Sequence, residues 1–186
     1  MMDQFLEEVV TKRNRGVQTA AYIMANLMMV LLGVTAFLYF TSITTVLAQS
    51  GMGVEFFITI GMFVVFGAGA VFAFLYRDRV KTEYEYTFTN GQMDFAKVYN
   101  NKKRKNLGTM NIRNIEACGL VSSGSFNRYI NMPGIKRTNW FLNREAELLY
   151  FYCQKDSQKR IIIIEPSEEM IGLIKRTLPQ GVWQNN

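Results

Sequence analysis

VQTAAYIMANLMMVLLGVTAFLYFTSITTVLAQSGMGVEFFITIGMFVVFGAGAVFAFLY, residues 17–76, is the stretch that decides the fold. From Gly16 to Val54 there is no charged side chain. Glu55 interrupts, and from Phe56 to Tyr76 there is again none. A helix needs about 20 apolar residues to cross a hydrocarbon core ~30 Å thick. The stretch therefore holds two spans, about 20–47 and 54–76, joined by the uncharged turn Gln49-Ser50-Gly51-Met52-Gly53. Lys12, Arg13 and Arg15 precede the run as in a secretory leader, and Val46-Leu47-Ala48 has the look of a cleavage site. The apolar run is far longer than a leader's ~7–15 residues, so an uncleaved helical hairpin is expected over 17–76.

The flanks give an orientation. Lys12, Arg13 and Arg15 stand before the first span and Arg77, Arg79 and Lys81 after the second, while the connecting turn has no cation. Positive residues favour the inner side of a membrane, so a multi-pass plasma-membrane protein with both termini in the cytoplasm is expected. Tyr22 and Tyr76 fall at interface depth. Asn26 either hydrogen-bonds across to the second helix or is hydrated near the headgroups. Gly61, Gly69 and Ala73 are candidate helix-packing positions, with Gly69 and Ala73 in small-xxx-small spacing. The first helix is the economical partner; a homo-oligomer is the other reading.

Charge is distributed unevenly. Residues 77–186 hold 18 of the 21 Lys/Arg and 11 of the 15 Asp/Glu, a surplus of seven cations. Beside a membrane, such a surplus points to anionic lipid rather than nucleic acid. There is no histidine, and the two cysteines, Cys118 and Cys153, lack metal-ligand spacing. No metal and no cofactor are expected, and the cysteines read as small buried groups in a reducing compartment. Residues 1–16 carry Phe5, Leu6, Val9 and Val10 at helical spacing, with acidic residues between them. They read as an amphipathic helical lead-in on the membrane surface, or as a partner-binding helix.

The second half changes rhythm. Thr82, Tyr84, Tyr86 and Phe88 alternate with Glu83, Glu85, Thr87 and Thr89, the period of a half-buried strand. Asn90-Gly91 is a strong hairpin turn, and Gln92–Tyr99 is the return strand. Asn100–Asn106 reads as a polar, basic loop. Residues 107–112 and 115–121 read as short strands. Residues 122–144 are expected to form a partly ordered excursion with one short strand. Strands follow at 147–154, with Leu148, Tyr150 and Tyr152 on one side, and at 159–165, whose run Ile161–Ile164 suits a central position. Lys155–Gln158 is the turn between them. Ser167 is a good N-cap for a helix with Glu168 and Glu169 in its first turn and Lys175 and Arg176 in its last. Pro179 and Gly181 end it, and 179–186 reads as a loose tail from which Trp183 packs back onto the domain.

The strand ending Tyr86-Thr87-Phe88-Thr89-Asn90-Gly91, the run Leu107-Gly108-Thr109-Met110-Asn111-Ile112-Arg113-Asn114-Ile115, and the closing Glu165-Pro166-Ser167-Glu168-Glu169 with its helix resemble bacterial pleckstrin-homology-like (PH-like) domains. The whole chain resembles small bacterial membrane proteins in which two helices precede such a module. The resemblance implies a membrane hairpin plus a mainly-β (α+β) domain over 82–178. That domain would be an antiparallel sheet or small barrel closed by a C-terminal helix.

Catalytic patterns are missing from the sequence: no Ser-His or Cys-His pair, no phosphate-binding loop, no nucleophile elbow. A non-enzymatic module is expected. Lys102, Lys103, Arg104 and Lys105 are the candidate anionic-lipid contact, extended by Lys136, Arg137 and Arg144; the alternative is a solvated hairpin tip. Membrane lipid and a protein partner are the expected partners. The alternative function is an accessory subunit that meets a larger membrane complex through its transmembrane helices.

Overall fold

A computed structural model describes residues 4–155 and 158–185. The chain divides into two compact units: Asn14–Lys81, and Met1–Arg13 together with Thr82–Asn186. The second unit is thus discontinuous in sequence, and the helical unit is inserted within it.

In the helical unit α1 spans Arg15–Ser50 and α2 spans Val54–Tyr76, followed by a 3-10 turn at Arg77–Val80. Asn14 caps α1, its Oδ1 accepting from the Val17 N–H at 3.2 Å. At 1.5 Å per residue the helices are ~54 and ~35 Å long. Both are long and apolar enough to cross a membrane. They run antiparallel. Tyr39 stacks on Phe66 at 5.7 Å, Phe40 meets Phe63 at 5.5 Å, and Leu32 lies 3.4 Å from where a Cβ on Gly69 would sit. Away from that seam the unit presents apolar side chains: Leu31 is 64 % exposed, Phe37 63 % and Val65 64 %. A surface so apolar needs lipid or another protein to cover it.

The other unit is built on two sheets. β1 (Phe5–Val10), β2 (Thr82–Thr89), β3 (Gln92–Tyr99) and β4 (Lys103–Asn111) form an antiparallel sheet in that order. Next come β5 (Ala117–Leu120), α3 (Gly124–Ile130), β6 (Lys136–Trp140), β7 (Leu149–Lys155), β8 (Gln158–Ile164), α4 (Glu168–Thr177) and β9 (Trp183–Gln184). Their sheet has the order β6-β8-β7-β5-β9, with β6 parallel to β8 and β9 parallel to β5.

One core lies between the sheets. Tyr86, Phe88, Met93 and Phe95 come from the first sheet, Leu149, Phe151 and Ile164 from the second, and Met170 and Ile174 from α4. A second cluster covers the outer face of the second sheet. There Tyr150, Tyr152, Ile161 and Ile163 pack with Phe126 and Tyr129 of α3. The adjacent isoleucines of β8 therefore serve opposite faces, as a pleated strand buried on both sides requires. The expected facing of Leu148, Tyr150 and Tyr152 holds, and so does the central place of β8.

Several expectations are corrected. The segment read as an amphipathic helix is β1, paired antiparallel with β2 from Phe5↔Thr89 to Val10↔Tyr84. Its apolar spacing suits either structure over six residues, and the open edge of β2 decides, since backbone N–H and C=O groups there must find partners. Asp3 of that segment lies outside the described residues. The domain therefore begins before the helices and does not start at 82. The basic stretch read as a loop is the first half of β4. Only residues 100–102 turn, Asn100 and Asn101 with φ of 50° and 53°, closed by the Lys102 N–H on Tyr99 O at 3.0 Å. The excursion at 122–144 contains the expected short strand, β6, and also α3, which was not foreseen. The tail is not loose: β9 pairs with β5, and Lys175 Nζ lies 4.1 Å from the Trp183 ring centroid. In the expected 155–158 turn, Asp156 and Ser157 lie outside the described residues.

Gly91 is required by its turn. Its φ is 93°, and an added Cβ would lie 3.0 Å from Thr177 of α4.

Removing residues 1–13 leaves β2 as an unpaired edge and strips Val10 from the core, at a cost of ~1.5 kcal/mol or more for that side chain alone. A chain starting at Thr82 should therefore aggregate or unfold. One in which residues 14–81 are replaced by a short Gly/Ser loop should unfold cooperatively as a soluble domain, followed by circular dichroism.

Candidate functional site

Three places in the molecule bring chemistry-bearing side chains together. The first is the β3–β4 hairpin. Strand pairing sets Lys97 opposite Lys105 and Tyr99 opposite Lys103, on the face that carries Met93 and Phe95 further down. Arg104 points to the other face, where its Nε donates to Glu85 Oε2 at 2.6 Å. Lys102 is exposed at the turn. The four consecutive cations are thus divided between faces, because a strand alternates. Lys97, which the sequence reading passed over, joins Lys103 and Lys105; the parity of β3 counted from Phe95 is the signal that finds it. Two like charges directly opposite each other destabilise a sheet unless an anion offsets them. Among the described residues Lys97 lies against aromatic faces, 5.5 Å from the Tyr84 centroid and 5.3 Å from that of Tyr99. Lys136 and Arg137 lie on β6 and Arg144 in the connection after it, in a sheet that does not adjoin the hairpin's strands.

The second place is where the chain leaves β1. Glu165 accepts from the Leu142 N–H at 3.1 Å, the Asn143 N–H at 2.9 Å and Asn143 Nδ2 at 2.6 Å. So held, the Asn143 amide donates to Thr11 O at 3.0 Å and accepts from the Arg13 N–H at 2.9 Å. One side chain thereby replaces a missing strand partner along Thr11–Arg13. Beside it, Glu8 accepts from the Ser167 N–H at 3.0 Å, at the start of α4. Burial pushes the Glu8 carboxyl above its usual range; the Ser167 hydrogen bonds oppose this, and the charges of Glu165 and Glu169 add to it. Sequence reasoning found Ser167 as the cap, which is confirmed by its acceptance from the Met170 N–H at 3.2 Å. It missed Asn143 and Glu8, which carry no local pattern.

The third place is within the helical unit. Arg77 Nη1 donates to Asn26 Oδ1 at 2.8 Å and lies over the Phe74 ring at 4.6 Å. Asn26 therefore does reach across to the chain after α2, and its own Nδ2 donates to Tyr22 O at 2.7 Å. Lys81 Nζ sits 4.7 Å from the Tyr22 centroid, and Arg79 sits 4.2 Å from that of Tyr76. Lys12, Arg13 and Arg15 are exposed. Gly69 faces α1, whereas a Cβ on Gly61 would meet open space; Ala73 is half-buried.

No group of metal-ligating side chains occurs among the described residues. Burial pushes the Cys118 thiol far up, away from a reactive thiolate. Tyr86 is likewise held protonated by burial, and donates to Trp140 O.

Among known families, the one described as bacterial PH-like domain (DUF6106) matches residues 2–184. The matched stretch contains β1, both apolar helices and the two sheets. No curated protein and no solved structure matches the chain.

Because the folded state raises the Glu8 pKa, it holds that proton more tightly than the unfolded chain. This group's contribution to stability is greatest below the carboxyl's ordinary value near 4.5 and declines as pH rises through the folded value. Glu8→Gln keeps an oxygen for the Ser167 N–H and removes the charge. It should raise the unfolding midpoint at pH 7, with the gain vanishing near pH 4. The emission of Trp140 and Trp183, both in this unit, reads the transition.

Proposed function

The chain belongs to the bacterial PH-like domain family, and from that premise we propose that it is a non-enzymatic binding module anchored in the plasma membrane by α1 and α2. Both termini are cytoplasmic, and the sheet unit engages the anionic surface of the inner leaflet through the β3–β4 hairpin. The observation that carries this reading is the single face shared by Lys97, Lys103 and Lys105. It includes a like-charge pair set across two strands, with tyrosines beside it. A polar edge needed only for solubility would not require like charges directly opposite. Near an anionic bilayer each such cation contributes ~1 kcal/mol, falling away within a Debye length of ~8–10 Å. Tyr99, at the same end of the hairpin, suits interface depth.

The orientation is supported twice over. The cation flanks favour cytoplasmic ends, and the pairing of β1 with β2 requires the chain to return to the side it left. The sheet pairing supports an even number of crossings, as the charge does. A protein partner within the membrane has one feature in its favour, the open space beside Gly61 on α2.

In nanodiscs of phosphatidylglycerol, hydrogen exchange across residues 97–105 of the full chain should slow relative to phosphatidylcholine discs, and the difference should disappear at high salt. Replacing Lys97, Lys103 and Lys105 together by Gln should abolish it. Equal exchange in both lipids would sink the lipid reading. A C-terminal tag should be digested in inverted vesicles and protected in spheroplasts.

A further inference from the structure

A cleft of about 510 Å³ lies between β4 and the inner face of the second sheet, within the size range of small-molecule sites. Phe95, Leu107, Ile115, Trp140 and Ile162 give it an apolar wall, and Thr109, Asn111, Asn114 and Gln154 a polar one. Phe95 and Trp140 approach at 4.8 Å between ring centroids. Such a lining would ordinarily be closed by a further side chain, because interiors pack densely. Here it is left open by the bulge in β4, where the register shifts at Phe95/Ala96 and Gly108 takes a φ of 138°.

Arg160 also lines the cleft. It stands opposite Cys153 on β7 and beside Lys136 on β6. Its Nη2 donates to Gln158 at 3.1 Å, and its Nε is buried with no hydrogen-bond partner among the described residues. A buried guanidinium donor left without an acceptor costs free energy, and native structures rarely leave one so. No carboxylate lines the cleft among the described residues. Lys97 is the next position beyond Phe95 on the same face of β3, ~7 Å along the strand, with Lys105 opposite it. The cleft thus combines an apolar wall with cations at its edge and, among the described residues, no carboxylate to match them.

We propose that this cleft binds a single-chain amphiphile with an anionic head, a carboxylate or phosphate on an unbranched hydrocarbon chain. The chain lies against Trp140 and Ile162, and the head meets Arg160. Free fatty acids and lysophospholipids share this chemistry. A neutral amphiphile would fill the interior but leave the guanidinium unmatched, and a small inorganic anion would leave the interior empty. This site is distinct from the hairpin's contact with the bilayer: a chain whose hairpin ignored lipid would still bind here.

Cys153 lines the cleft and Cys118 is fully buried, which gives a site-specific readout with an internal control. The full chain in phosphatidylcholine nanodiscs is alkylated with N-ethylmaleimide, and modification at each cysteine is followed by mass spectrometry. Dodecanoate or dodecyl phosphate at ten times its Kd should slow alkylation of Cys153 about tenfold by mass action. Dodecanol and acetate should not. Protection by dodecanoate alone assigns a fatty acid, by dodecyl phosphate alone a lysophospholipid, and by both a site selective for charge. Arg160→Gln should require about tenfold more dodecanoate for the same protection, the loss of one charge-assisted contact. Equal protection by dodecanol or acetate, no protection by either anion, or an unchanged concentration dependence in Arg160→Gln overturns the proposal. The head-group series on the unmutated chain decides alone if that variant does not fold.

Discussion

The pairing of β1 with β2 is the constraint on which the rest of the structure depends. Six residues before the helices lie antiparallel to six after them, from Phe5↔Thr89 to Val10↔Tyr84. The chain must therefore leave the sheet and return to it at neighbouring positions. An inserted segment of this length would be costly to close if it were flexible, since closure entropy grows with loop length. Here the insertion is a rigid antiparallel pair of helices that brings its own ends together. The Asn26–Arg77 hydrogen bond and the Tyr22–Lys81 contact fasten those ends within the helical unit. On the sheet side, Asn143 holds Thr11 and Arg13 from the backbone outward. Each unit thus prepares its own side of the junction.

This arrangement has a consequence for assembly. β1 is made first, but its partner appears only after both apolar helices. Until then Leu6 and Val10 have no face to pack on. The first sheet is completed only when the chain comes back at Thr82, so the pairing of α1 with α2 and the closure of the sheet are coupled through connectivity alone. The pairing also fixes where the helical insertion must end, because β2 has to lie beside β1.

The same alternation that buries Tyr86 and Phe88 also sorts charge. Along β3 and β4 the inner face passes from Met93 and Phe95 to Lys97, Lys103 and Lys105, so one surface changes from core to cation within a few residues. Arg160 makes a similar change on β8, just before Ile162 and Ile164. The two sheets thus run out of apolar residues where the sandwich opens, and the functional readings advanced for this protein arise from that boundary.

Two long apolar helices were legible in the sequence alone, because some forty apolar positions run there almost without a charge. The sequence determined the Asn90-Gly91 turn and the Ser167 cap, where local chemistry leaves little choice. It also gave the family likeness through the strand and helix patterns of the second half. Only the tertiary structure decided the rest. Phe5–Val10 became a strand because the edge of β2 needed a partner, a need that arises far along the chain, at Tyr84–Thr89. Lys103–Lys105 joined a strand because β3 offered backbone partners, while their side chains kept to solvent on alternate faces. The covering role of α3 and the clamp at Asn143 likewise depend on residues far apart in the chain. Local patterns record a residue's neighbours in sequence; which unsatisfied backbone or open face it will meet is settled only when the sheets come together.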